Sequence, residues 1–574
     1  MRKILPLILL GFVACGYFFY VKKNAFFSKR ENKLKIVVFN KVKTLDPAIA
    51  FNDDLLKIIS QSYETLYQYH YLKRPYEVIP GLAAEMPKIT NNGTRYEIKI
   101  KDDIYYHDRE GIYTAPRKVK AQDFINSIKR LAFKPLKSTG TWLFSGKIKG
   151  FNEFSDKVGD SFENFFSTDI EGLKAPDDNT LIIELTRPEP NMLYFLSMYF
   201  TTPLPQKALV YFDNDLSKNI YGTGPYLLKE LEEMKIVLEK NPKFHLEHYP
   251  STGDRYANTQ KLLTSSTLEL PFIEEIEIKV IENEEDRWNA LINGDIDILS
   301  IPKKYLVKIT EGDKELNTLL QEKGIKVKHF SKLSSRWLSF NMQDPVVGKN
   351  KNLRLAIAHG IDFSQYIRLL SNNTNLGANS IFNPSIPGYN PSHQMSYKYN
   401  LEKAKDYLKK AKLPKDFVLT YYTRGKSDVH FDEADFIKNE LEKIGLKVKI
   451  SALDFSEFLR KGRAGELQFF TDVWIYDYPD AENVIQLLIS KNTPGINKSA
   501  YTNKEVDLLY DQLSKTLDRE KRYELMYKVE DIVDQEVPWI MMMFESSYIL
   551  HYDYIKNFRK SYFIKNHFKY LKID

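Results

Sequence analysis

The stretch DVWIYDYPDAENV, residues 472–484, sets one carboxylate, Asp477, among Trp474, Tyr476 and Tyr478, with Asp480 close behind. Two chemistries suit such a group. An aromatic-rich loop can leave its acids in water, as most charged side chains are, and composition alone favours that reading. A carboxylate held between aromatic walls can instead receive a cationic ligand group.

Other residue sets able to do chemistry are thin. The 10 histidines are scattered and no H-E-x-x-H occurs. In HLEH, His245 and His248 lack an evident third ligand, so the segment reads as a surface turn and no metal is expected. GTGPY, residues 222–226, matches neither glycine-rich phosphate motif and reads as a tight turn before a strand. No G-x-S-x-G nominates a serine nucleophile. The single cysteine, Cys15, lies in an N-terminal apolar run, which excludes a cysteine hydrolase, an internal disulfide framework and a thiolate metal site. Carboxylates are plentiful, but none is spaced to nominate a glycosidase pair. No cofactor is expected.

The elements that must position Asp477 alternate between strand and helix. FVLTYY (417–422) is apolar; Ala434, Ile437, Leu441 and Ile444 then recur at helical spacing, Gly445 stops the helix, and Leu446, Val448 and Ile450 alternate. This is a β-α-β unit and predicts a parallel sheet. In EDRWNALINGDIDILSIP (285–302) a helix ends near Gly294, and Ile296 and Ile298 open a strand. IEIKVI (276–281) alternates Ile276, Ile278 and Val280 on one face. RYEIKIKDDIYYHD (95–108) predicts an antiparallel strand with Tyr96, Ile98 and Ile100 inward. No fixed-period repeat interrupts this mixed α/β pattern.

A chain of 574 residues predicts two or three domains. The formal charge of +7 comes almost entirely from Arg2, Lys3, Lys22, Lys23, Lys29 and Arg30; past residue 30, lysines and glutamates are interspersed and nearly balanced. That distribution points to a membrane surface and away from nucleic acid. Between the basic clusters, Ile4 to Val21 carries no charge over 18 residues, suiting either a signal peptide or a short membrane anchor. Both place the body outside the cytoplasm.

Nine stretches, in order, resemble one family over nearly the whole chain: LDPAIAFNDDLLKIISQSYETLYQY, GLAAEMPKITNNGTRYEIKIKDDIYYHD, VKAQDFINSIKRL, YGTGPYLLKE with LEKNPKF, LINGDIDIL, LSFNMQDP with LRLAIAHGIDF, NPSIPGYNP, NLEKAKDYLKKA and DYPDAENV. The chain resembles the family 5 extracellular solute-binding proteins, the oligopeptide and dipeptide receptors of ABC importers. The resemblance implies an α/β, two-lobed periplasmic-binding-protein-like fold (type II, cluster C) with an extra third domain, closing on its ligand about a hinge. By analogy, lobe I takes residues 34–75, 195–283 and 538–574, the extra domain 76–194, and lobe II 284–537. Residues 1–30 form the signal peptide or anchor.

The resemblance further implies that Asp477 pairs with a peptide's α-ammonium. Phe51, Asn52, Asp53, Val473, Trp474, Ile475, Tyr476, Asn497 and Lys498 would flank an extended ligand bonded main chain to main chain. His430 aligns with a histidine near the peptide's carboxylate end. Two positions depart from relatives. Ile475 and Tyr476 replace small residues, which bears on pocket size. Thr471 stands where some receptors carry an arginine for the carboxylate, leaving Arg460 or Arg463 as substitutes. The expected function is peptide capture and delivery to an ABC permease by a membrane-tethered monomer. A tethered sensor of the same fold is the alternative, and a tethered hydrolase the weakest. FVAC resembles a lipobox with Cys15 as the lipidated residue, whereas the apolar YFFYV after it favours an uncleaved anchor.

Overall fold

The computed structural model describes residues 31–574; the expected tether at 1–30, with Cys15, lies outside the described residues. Among the described residues, no helix is long and apolar enough to cross a membrane.

Three principal sheets organise the body. The first has four strands, β1 (Lys33–Val38), β2 (Tyr226–Leu231), β3 (Lys235–Lys240) and β4 (Glu275–Val280), in the order β1-β4-β3-β2. β4 runs parallel to β1 and buries Ile276, Ile278 and Val280, the face expected from its alternation. Ahead of β2, the GTGPY glycines are required by close approach. A Cβ on Gly222 would lie 2.0 Å from the Ser62 carbonyl oxygen, and one on Gly224 2.6 Å from the Ser62 carbonyl carbon.

The chain passes from Asn52 into α1 (Asp53–Ile59). Asn52 Oδ1 accepts the Leu55 N–H at 2.9 Å, and Asp53 and Asp54 sit in the first turn, where the helix dipole favours negative charge. Burial of Leu55, Ile58 and Ile59 anchors the helix and leaves Asp53 at the surface of the first lobe.

The extra domain carries an antiparallel sheet of strands 88–90, 95–99, 180–184 and 173–177, in that spatial order. Tyr96, Ile98 and Ile100 are buried, as expected. Its helix 121–132 sends Arg130 into the first lobe, where the guanidinium meets Asp46 Oδ1 and Oδ2 at 2.9 and 2.7 Å and Asn214 Oδ1 at 2.7 Å.

After α2 (Glu284–Asn293), closed by Gly294 at φ +78°, come β5 (Ile298–Ser300) and the 16-residue β6 (Ile325–Phe340). The expected β-α-β unit is present. β7 (Leu419–Tyr422) leads through α3 (Asp428–Glu442), past Gly445 at φ +90°, to a parallel β8 (Val448–Ser451). α4 (Phe455–Arg463), β9 (Phe469–Ile475) and β10 (Trp539–Tyr552) complete the second sheet, ordered β5-β10-β6-β9-β7-β8, with residues 376–377 also pairing to β10.

β6 and β10 are antiparallel partners whose register breaks between Ser331 and Ser335 and shifts again between Arg336 and Trp337. Before the break, Ile325 of β6 and Ile549, Leu550 and Tyr552 of β10 join the hydrophobic core that holds Leu34 and Ile36. Beyond it, Trp337, Leu338, Ile540 and Met541 join a second core with Leu419, Tyr421 and Phe469, which Tyr69 and Tyr249 also reach. The expected boundaries at 284 and 538 therefore do not coincide with the division between cores. Residues of α2 and β5 pack with the first core, and the start of β10 packs with the second. One long strand pair serves both cores. β5 is also laced to β1: the Lys35 N–H donates to Asp297 Oδ2 at 2.7 Å, and the Asp297 N–H to the Lys35 carbonyl at 2.7 Å.

Candidate functional site

A cavity of about 380 Å³ opens where the two bodies face each other, within the range of small-ligand sites. Its first-lobe wall is Ala50 to Asp53, Leu56, Tyr69, Ser197 to Phe200, Tyr562, Phe563 and Lys565; its second-lobe wall is Ile475, Tyr476 and Asp477. Thus six of the expected ligand residues, Phe51, Asn52, Asp53, Ile475, Tyr476 and Asp477, meet in one space although more than 400 positions separate them along the chain.

Asp477 follows the end of β9. Its backbone N–H donates to Asn483 Oδ1 at 3.0 Å, and Asn483 Nδ2 donates to Asp477 Oδ2 at 3.1 Å. The same Asn483 oxygen accepts the Trp474 indole N–H at 2.8 Å, so one amide fixes both residues. No cation lies within ion-pair distance of Asp477 among the described residues. Burial pushes its carboxyl up to about 6, with the Asn483 hydrogen bond pulling in the opposite direction. Asp480, by contrast, is matched by Arg522 at 2.7 Å.

Ile475 is half exposed and projects from the end of its strand, whereas the Tyr476 ring is buried in the second core. The Tyr476 hydroxyl accepts the Asn383 N–H at 3.2 Å. The bulk at Tyr476 is therefore taken up by the lobe, and Ile475 alone narrows the opening. Across the cavity, Phe51 stacks on Phe200 with centroids 5.2 Å apart. Asp53 pairs with Lys565 at 2.6 Å and Lys57 at 3.0 Å. Burial raises the Asp53 carboxyl, but Lys565, Lys57 and Lys560 outweigh it and hold the group well below the usual carboxylate range.

The remaining expected ligand residues lie elsewhere. Val473 and Trp474 belong to β9 outside the cavity lining. Lys498 clasps Asp472 at 2.9 and 2.8 Å. Asn497 is buried and spends its amide on the carbonyls of Ile489 and Tyr501, so it braces its own loop. His430 bonds Ser427 Oγ through Nδ1 at 2.7 Å beside Gly425. Arg460 faces Glu466 at 3.4 Å and Arg463 is exposed on α4, and neither lines the cavity. The expected surface turn at HLEH holds only in part. His248 is exposed, but the His245 side chain is buried against Glu64 at 2.9 Å.

Two features were not anticipated. Pairing of β9 with β7 ends at Tyr422 and Phe470, whereas pairing with β6 continues to Ile475, so among the described residues the β7-side edge of β9 has no strand partner over residues 471–475. Just past β7, Arg424 lies over the rings of Phe455 and Phe458, each 5.7 Å from its guanidinium, and its buried Nε has no hydrogen-bond partner among the described residues. Inside the domain, Arg336 contacts Glu433 and lies 3.4 Å from Glu545, and the Tyr366 hydroxyl donates to Glu433 at 2.6 Å. That cluster sets two carboxylates against one guanidinium. Arg424 has no acid at ion-pair distance among the described residues. In sequence it was one of 83 basic residues, with no motif to mark it.

Residues 77–495 match the family model described as bacterial extracellular solute-binding proteins, family 5 Middle. The chain is 24% identical over 516 residues to the dipeptide-binding protein of Escherichia coli K12, covering 87% of this chain and 86% of that one. It is 23% identical over 527 residues to the oligopeptide-binding protein OppA of Bacillus subtilis 168, covering 89% and 87%. Among solved structures, the ABC transporter-associated periplasmic binding protein DppA from Helicobacter pylori, in complex with peptide STSA, superposes with a TM-score of 0.68 at 24% identity, covering 94% of this chain and 98% of that one.

Proposed function

This chain belongs to the bacterial extracellular solute-binding proteins of family 5, and we propose that it is a peptide receptor that closes two lobes on its ligand and delivers it to an ABC permease. The observation that carries this reading is Asp477, a carboxylate without a cation at the wall of the interlobe cavity. An α-ammonium supplies the missing charge, and expelling water strengthens the pair. Where the edge of β9 reaches the cavity, at Ile475, it offers main-chain groups to an extended ligand independently of its side chains. Arg424, which lies beyond the cavity lining and has no acid at ion-pair distance among the described residues, is the group assigned to the carboxylate end of a longer ligand. Binding and release, without bond cleavage, complete the task.

In this reading the first lobe includes residues 284–331, and the hinge is the register break at Ser331 and Ser335. The receptor works as an extracytoplasmic monomer, tethered by the run at Ile4 to Val21. Cys15→Ser separates the two tethers by whether lipid labelling is lost.

Purified protein, unfolded mildly and examined by mass spectrometry, should release peptides. Free tripeptides should raise its melting temperature, and their N-acetylated counterparts should not. A shift of equal size with acetylated peptides overturns the role of Asp477, and release of sugars or metal complexes overturns the peptide reading.

A further inference from the structure

We infer that the receptor selects peptides carrying a carboxylate side chain on one of their first two residues, and that Lys565 is the group that reads it. The inference rests on the peptide reading above and adds to it a preference for one side-chain class.

Three ammonium groups converge on Asp53. Lys565 holds Oδ1 at 2.6 Å and Lys57 holds Oδ2 at 3.0 Å, Lys57 also lying 3.4 Å from Asp54. Lys560 acts on Asp53 through its field and has no acid of its own at ion-pair distance among the described residues. His567, which lines a small adjoining void with Lys57 and Lys560, brings no negative charge. Of these cations, only Lys565 lines the ligand cavity. Turning it from Asp53 towards a ligand leaves Asp53 still held by Lys57, so the exchange strands no buried charge.

Position fits the same exchange. Asp53, Lys565, Tyr562 and Asp477 all line the one cavity. An ammonium fixed at Asp477 brings the first two side chains of an extended peptide close by, since each residue advances it by only about 3.3 Å. The wall is largely aromatic, with Phe51, Phe200 and Phe563, and among the described residues Lys565 is the one cation that lines it, so a ligand carboxylate finds its opposite charge there. A carboxylate there gains a charge-assisted bond in a partly dry space.

The test is calorimetric titration of the full chain with Glu-Ala-Ala, Ala-Glu-Ala and their glutamine counterparts, at low and high salt. At least one glutamate peptide should bind about tenfold more tightly than its glutamine partner, and the ratio should shrink at high salt. Lys565→Met should bring the ratio to about one, and Lys565→Arg should restore it. Equal binding of glutamate and glutamine peptides by the wild type overturns the inference alone, as does a preference that survives Lys565→Met. Because the wild-type ratio and its salt dependence are decisive, the inference stays exposed even if a variant fails to fold. Absence of binding by all four peptides overturns the peptide reading and the inference together.

Discussion

Asn483 holds Asp477 from both sides, accepting its backbone N–H at 3.0 Å and donating to its carboxylate at 3.1 Å. The carboxylate is thus aimed and polarised without being neutralised. It is a poor arrangement for an empty protein and a good one for a protein waiting for a cation.

The first prediction follows from that contrast. Asp477→Asn removes a charge that burial disfavours, so the empty variant should be more stable than the wild type at pH 8, by about 3 kcal/mol. Its affinity for peptides with free amino termini should fall by about 2–5 kcal/mol. Denaturant unfolding and calorimetry read the two effects separately, and their opposite signs distinguish a binding role from a folding one.

Affinity should also depend on pH. With its carboxyl raised to about 6, Asp477 is ionised above that value, whereas a peptide amine is protonated below about 8. Binding should therefore be strongest between these limits and weaken as the pH falls through about 6. Near pH 6, binding should release protons, seen as a buffer-dependent heat. In the empty protein the sign is reversed. A folded carboxyl raised above its unfolded value contributes stability that is full below about 4 and lost as the pH rises through about 6.

Arg424→Ala should weaken peptides with a free C-terminal carboxylate by about tenfold or more and leave C-terminally amidated ones nearly unaffected. An equal loss for both would place the arginine outside the ligand site.

The Arg130 clamp gives a stability prediction. Its guanidinium and Asp46 are almost wholly buried, so Asp46→Ala leaves an uncompensated cation and should cost about 3–5 kcal/mol. Urea unfolding should show the midpoint fall, with the helix 121–132 region losing amide protection first.

Gly222→Ala should destabilise the fold by about 1–3 kcal/mol, because the added Cβ would lie 2.0 Å from the Ser62 carbonyl oxygen. Gly445→Ala, where no atom lies within 4 Å, tests strain from positive φ alone and should cost about 1 kcal/mol.

What could be read in the sequence was what is local or carried by family motifs. The β-α-β unit from Leu419 to Ser451 has its periods written in consecutive residues, and DYPDAENV already contained Asn483 beside Asp477. The lobe boundaries were another matter. Ser331 and Ser546 pair across more than 200 residues, and nothing in a strand's own alternation says that its two halves serve different cores. Lys498 and Asn497 were placed in the site by alignment, but their hydrogen bonds with Asp472, Ile489 and Tyr501 occupy them elsewhere. Lys565 and Arg424 are visible only as charges whose surroundings the fold defines.

The broken register between β6 and β10 has a consequence for how affinity is set. Hydrogen-bonded ribbons joined at an irregular level can change their mutual angle while each keeps its own ladder, so open and closed shapes differ in few bonds. Measured affinity is then the intrinsic affinity of the closed shape scaled by the fraction of molecules that already have it. Lys332 and Leu333 sit in that gap, outside the cavity lining. Substitutions there would retune the receptor through its resting population, with every residue that touches the peptide left in place.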